Sequence, residues 1–182
     1  MDLPEPEPKA SPLYPLLNQV NNAAENGLDL IAIGMAVALP HLCASLAMEN
    51  GRAQGAEYKD WCRANIIGRP EFSYLSAEDL YSFRCGVLHQ GRFGDLKNKP
   101  ENKTVERVLF LPKTSGGAWV NNVVDDAYVY SVVEFCRNMC DAAYEWYEAN
   151  RDDPIVKANS ERMVQYHPEG LSPYIVGMGV IA

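Results

Sequence analysis

Two residues in the stretch YSFRCGVLHQGRF, residues 81–93, have the types and spacing to do chemistry on a phosphate: Arg84 and His89. A guanidinium is a permanent cation whose fork of N–H donors matches phosphate oxygens. An imidazole, with an ordinary pKa of about 6.5, takes or gives a proton near neutrality. At about 100° per residue, Leu80, Arg84, Val87 and Leu88 fall within about 60° of one another, with Ala77 and Tyr81 on the same side. Arg84 is therefore expected near the middle of an apolar stripe. A buried guanidinium needs compensation. Arg84 either pairs with an acid from another helix, or lines a cleft or subunit interface where an anion arrives. His89 lies about 140° further round, in the last turn, so the two are not expected to stack. The ordinary alternative for His89 is a surface histidine beside a helix end.

A second pairing is Cys85 with His89, four apart and on one face. A thiol–imidazole dyad would suggest a cysteine hydrolase. Cys85 lies in the second half of its helix, where the dipole disfavours a thiolate, and this weighs against the dyad. The chain has no G-x-S-x-G, no phosphate loop and no G-x-G-x-x-G, so no nucleotide cofactor is expected. Cys136 and Cys140 share a helical face but lack a CxxC partner or a histidine cluster, so no zinc site is expected.

The helix that positions Arg84 and His89 has the clearest signals in the chain. Ser76 can cap it, Glu78 and Asp79 fall in its first turn, and Gly91 suits its end. Other helices are expected at 13–26, at 28–50 with a kink or break at Pro40, and at 56–66. Residues 104–112 and 118–124 read as two strands of a hairpin joined by KTSGG. Asp125 and Asp126 then lead into a long helix, about 126–150, with Tyr128, Val132, Phe135 and Met139 along one side. A short helix is expected within 153–166. The apolar tail SPYIVGMGVIA should pair as a strand or pack on the body. Residues 1–12 read as a flexible tail. The expected class is mainly α: one helical-bundle domain over 13–182, with a hairpin inserted at about 104–124 before the last long helix.

Composition bounds the function. Of 182 residues, 47% are apolar, enough for one domain with a full core. The net charge of −8 argues against unspecific binding to nucleic acid or an anionic membrane. The charge is uneven: residues 84–113 hold seven basic residues against three acidic ones. That island is either a solvated loop or a local phosphate-attracting patch. Residues 30–48 run nineteen long without Asp, Glu, Lys or Arg, enough to span a bilayer. Pro40, His41 and Ser45 within them, and no basic flank, favour a helix buried in protein. Five cysteines, an odd number, and the acidic proline-rich start MDLPEPEPKASP point to reduced thiols and a cytoplasmic setting. A more distant reading, a small-molecule cavity around Pro40 and His41, names no ligand.

The arrangement Arg-x4-His at a helix end, within LYSFRCGVLHQG, resembles the signature of the HEPN superfamily, on Arg84 and His89. Those domains are small helical bundles. Many are metal-independent RNA endonucleases of toxin, antiviral and RNA-processing systems; others are non-catalytic interaction modules. The resemblance implies a homodimer through the motif helix, in which two copies of Arg84 and His89 build one composite site with no cofactor and no metal. Arg84 would stabilise charge on the phosphate and His89 would activate the 2′-hydroxyl, leaving a 2′,3′-cyclic phosphate and a 5′-hydroxyl. Arg92, Lys97, Lys99 and Lys103 are the candidates for contacts to the RNA backbone. Tyr81 and Phe93 are candidates for stacking on a base, against an ordinary packing role. A regulatory protein partner would suit such a system; a membrane would not. Residue 85 departs from the pattern: nuclease members often carry Asn, Asp or His after the arginine, and here it is cysteine. Two readings follow, an RNA-cleaving homodimer and a non-catalytic assembly or RNA-binding module.

Overall fold

The computed structural model describes residues 11–93, 107–116 and 119–182. The expected tail and Lys97, Lys99 and Lys103 lie outside these residues, apart from Ser11 and Pro12 of the tail. The chain is mainly α, with six α-helices among the described residues: α1 (Leu13–Glu25), α2 (Asp29–Leu46), α3 (Gly55–Asn65), α4 (Ala77–Gln90), α5 (Val132–Asn150) and α6 (Pro154–Ser160).

α2 lies at the centre, packed against α1, α3, α4, α5 and α6. Its apolar residues run all round the helix, which is how a helix enclosed by protein reads. It is long and apolar enough to cross a membrane, and ten of its eighteen residues are buried in the protein. α2 continues as one helix through Pro40, so of the expected kink or break the break does not occur. Proline removes one ladder donor, and the helices around α2 hold the rest in place. α5 carries the other large apolar stripe, with Phe135, Met139, Ala142 and Ala143 fully buried. Tyr14 of α1 packs on Tyr144 and Tyr147 of α5 at 5.4 and 5.8 Å between ring centroids.

The expected hairpin is corrected. β1 (Arg107–Leu111) and β2 (Asn122–Val124) do not pair with each other; both flank β3 (Ala127–Ser131). β1 runs parallel to β3, Arg107 opposite Ala127 and Leu111 opposite Ser131. β2 is antiparallel to β3, joined to it by Asp125 and Asp126. Asp125 takes the left-handed φ of 51° that such a two-residue connection requires. β3 occupies residues expected to open the last long helix. That helix begins at Val132, and Ser131 caps it through the Glu134 N–H, 3.4 Å away. All five residues of β3 are buried, so no alternation marks it as a strand.

Past α6 the tail pairs as expected, but with the segment just before it rather than with the body. β4 (Tyr166–His167) pairs with β7 (Val180–Ile181), and β5 (Gly170–Leu171) pairs with β6 (Ile175–Val176).

Candidate functional site

α4 forms where its local signals place it. Ser76 Oγ accepts the Asp79 N–H at 3.1 Å, and Asp79 returns a bond to the Ser76 N–H at 3.0 Å, a closed capping box. At the other end Gly91 takes φ 63°, the left-handed conformation that ends a helix cheaply only at glycine.

The buried face of α4 differs from the expected stripe. It runs through Ala77, Asp79, Leu80, Phe83 and Gly86. Arg84 sits on its flank, half-buried, and Leu88, further round, is 42% exposed. The cause is Phe83: the ring with the most surface to bury turns the helix so that residues 80, 83 and 86–87 face inward. Arg84 is left where α4 meets α2. There Val87 Cγ1 and Leu88 Cδ2 each lie 3.7 Å from where a Cβ on Gly34 would be.

Arg84 and His89 come together in spite of their angular separation. Arg84 Nη1 lies 3.3 Å from His89 Nε2. The long arginine stem covers the rise of five residues, and a helical side chain leans back toward the N-terminus, which brings the imidazole over the preceding turn. A guanidinium can only donate, so Nε2 accepts in this contact. Nη1 is also 3.9 Å from Cys85 Sγ. Among the described residues no carboxylate pairs with Arg84, and its Nε is buried without a hydrogen-bond partner. The pairing with an acid of another helix, one of the two sequence expectations for Arg84, is not what these residues form. No hydrogen bond joins Cys85 to His89 among them.

Residues that the motif does not point to surround Arg84. His41 of α2 is held below its ordinary pKa by burial first and by the Arg84 charge second, with Glu57 opposing. Its Nδ1 is buried without a partner. Tyr58 of α3 is fully buried behind the arginine. Its hydroxyl lies 3.0 Å from the Val37 carbonyl and 3.2 Å from that of Leu80, tying α3 to both α2 and α4. Tyr81 packs on Tyr58 at 5.4 Å, with the Lys59 ammonium 5.7 Å from its ring. Its phenol is held above its ordinary pKa, chiefly by its hydrogen bond to Cys85. It also rests against Gly55, where a Cβ would run into the hydroxyl. No local signal could have assigned His41: it lies 43 positions before Arg84, and the approach of α2 to α4 joins them.

The basic island is partly neutralised. Arg107 pairs with Asp126 at 2.9 Å and Lys113 with Glu25 at 2.7 Å. Arg92, exposed just past α4, meets the Gln90 amide oxygen at 2.7 Å and no carboxylate among the described residues. Phe93 pairs with Phe110 of β1 at 5.2 Å. A cavity of about 380 Å³ lies at the C-terminal end of α2, between Leu42, Ser45, Arg52, Asn159 and Arg162, and does not include His41.

Among the described residues no group of three or more His, Cys, Asp or Glu is arranged to hold a metal ion. The cysteines are unpaired, and all but Cys85 are buried. Burial pushes the Cys136 thiol up to about 12. What the arrangement can do chemically is hold an anion against Arg84 and exchange a proton at His89. Comparison with protein-family models, with curated proteins and with solved structures finds no match to this chain.

Proposed function

We propose that the chain is a HEPN-like, metal-independent RNA endonuclease, acting as a homodimer through α4 in a cytoplasmic setting. The observation that carries the reading is the 3.3 Å approach of Arg84 Nη1 to His89 Nε2, with no carboxylate on Arg84 among the described residues. A half-buried cation left uncompensated has capacity for a phosphate. As the phosphate takes the Arg84 guanidinium, Nε2 is released from Nη1, and the imidazole takes the proton of a 2′-hydroxyl, whose oxygen attacks the adjacent phosphorus. The P–O5′ bond breaks, and a proton returns to the departing 5′-oxygen. The products are a 2′,3′-cyclic phosphate and a 5′-hydroxyl. Arg84 stabilises the charge gathered on the phosphoryl oxygens. Leu88 and the end of α2 supply an exposed apolar margin for a second copy, and Arg92, exposed just past α4, is the residue to meet a flanking phosphate.

The second reading, a non-catalytic HEPN-like module for assembly or RNA binding, is favoured by one observation. The cysteine at position 85 is engaged with Tyr81 and Arg84 rather than presented as a further polar group of a site.

An RNA-cleavage assay in EDTA separates the two. Wild type is expected to leave cyclic-phosphate ends, and Arg84→Ala and His89→Ala, both folded, are expected to lose at least 100-fold in rate, as for removal of a general base. Cleavage that survives His89→Ala, or that requires a divalent metal, overturns the nuclease. Absence of cleavage together with Arg84-dependent RNA binding supports the module.

A further inference from the structure

We infer that residues 164–182 form an exchanged arm, which in a two-fold pair of chains covers the exposed apolar end of α2 in the second copy. The inference rests on the pairing through α4 proposed above.

The arm satisfies its own backbone. Gln165 and Ala182 exchange both bonds, at 2.7 and 3.0 Å, and the ladders of β4 with β7 and β5 with β6 continue to the tip. Among the described residues it packs on no other helix or strand to a comparable extent. Successive strand residues point to opposite sides. Val164, Tyr166 and, opposite Tyr166, Ile181 share one side and are 68–77% exposed, while Gln165, His167 and Val180 on the other are half-buried. A hairpin side turned to water is ordinarily polar; this one is apolar. Nearer the tip Tyr174, Val176 and Met178 are exposed as well. Glu169 is the only Asp, Glu, Lys or Arg between 164 and 182, so a charged partner has little to recognise.

The matching surface is on this same chain, and the arm leaves it uncovered. Leu28, Leu30 and Ile31, at the start of α2, are 53–75% exposed. The arm is rooted at the opposite end, where Asn159 Nδ2 donates to the Leu46 and Met48 carbonyls at 3.0 and 2.8 Å. An 18-residue helix separates the two by about 27 Å. An antiparallel two-fold pairing brings each arm root beside the other copy's exposed end and makes the contact twice. Half of the arm's exposed apolar surface together with the end of α2 comes to on the order of 800 Å² per copy, the area a stable dimer buries.

The full chain is measured by size exclusion with light scattering, and a photoreactive benzoylphenylalanine is placed at the exposed position of Val164, at the arm root, in a mixture of light and isotope-labelled chains. Wild type is expected at twice 20.2 kDa. Tyr166→Ser with Ile181→Ser, and separately Leu30→Ser with Ile31→Ser, should weaken the dimer at least tenfold while helix content is kept. The cross-link should join light to heavy chains at the peptide carrying residues 28–31, a readout that does not depend on how the serine variants fold. An adduct confined to its own chain, or a dimer indifferent to folded arm variants, overturns the inference. In that case disruption by Leu88→Asp leaves the α4 pairing standing. A monomeric wild type overturns arm and α4 pairing together.

Discussion

Arg137 on α5 and Arg84 on α4 are both partly buried arginines on amphipathic helices, and their surroundings are opposite. Arg137 donates to Glu134 at 2.6 Å and to Glu25 at 3.2 Å, and Glu25 also takes Lys113. Those bonds join the end of α1, the start of α5 and the turn after β1. Arg84 has a histidine, a thiol and a buried unpartnered Nε, with no carboxylate among the described residues. The same residue type serves as a structural clamp in one helix and stands ready for an external anion in the other. The distinction lies in what the neighbouring elements bring within reach.

The sharpest way to widen that contrast is on the core side of α5. Phe135 is fully buried and packs against Phe72, Phe110 and Tyr130. Phe135→Ala should cost about 3–5 kcal/mol in urea unfolding. Arg84→Ala should cost no more than about 1 kcal/mol, because no carboxylate is stranded by it. A loss of about 3 kcal/mol, the signature of a broken buried pair, would mean that Arg84 holds a buried partner of its own and would erase the comparison. Arg137→Ala should cost roughly 0.2–1 kcal/mol, since its ion pairs remain open to solvent; a double-mutant cycle with Glu25→Gln isolates the pair.

The smallest effects are in pH. His41 is depressed in the folded chain, so the unfolded chain takes up its proton first. Its contribution to stability is present above the ordinary value of 6.5 and is lost as pH falls through the lower folded value. A melting profile across this window should flatten in His41→Asn, and flatten partly in Arg84→Ala, because the arginine charge is the second cause. Glu25, lowered chiefly by its bond to Lys113, follows the same sign further down. Its contribution is present above 4.5 and lost as pH falls below that, and Glu25→Gln should remove it.

Much of α4 is legible in the sequence. Ser76 with Asp79, and Gly91 after the last turn, are signals that act within four residues, and the helix ends where they place it. α1 and α3 are legible from the helical spacing of their apolar residues. The sheet is not. Asp125 and Asp126 resemble an acidic helix start, and they form instead the connection between β2 and β3. The five consecutive buried residues of β3 carry no period that tells strand from helix. Helical angle alone underestimates the Arg84–His89 contact, because it describes where Cβ atoms point, and arginine reaches well beyond its own.

The sequence by itself determined that the chain is mainly helical, where α4 begins and stops, and that an arginine and a histidine share the last turns of α4. Those features depend on neighbours a few residues away. Only the tertiary structure decided that Phe83 rather than Arg84 faces the core, that His41 and Tyr58 stand beside the arginine, and that β3 separates two strands expected to pair. Each of these depends on side-chain volume competing for one interior, and on contacts between segments whose separation along the chain exceeds the range of any local signal.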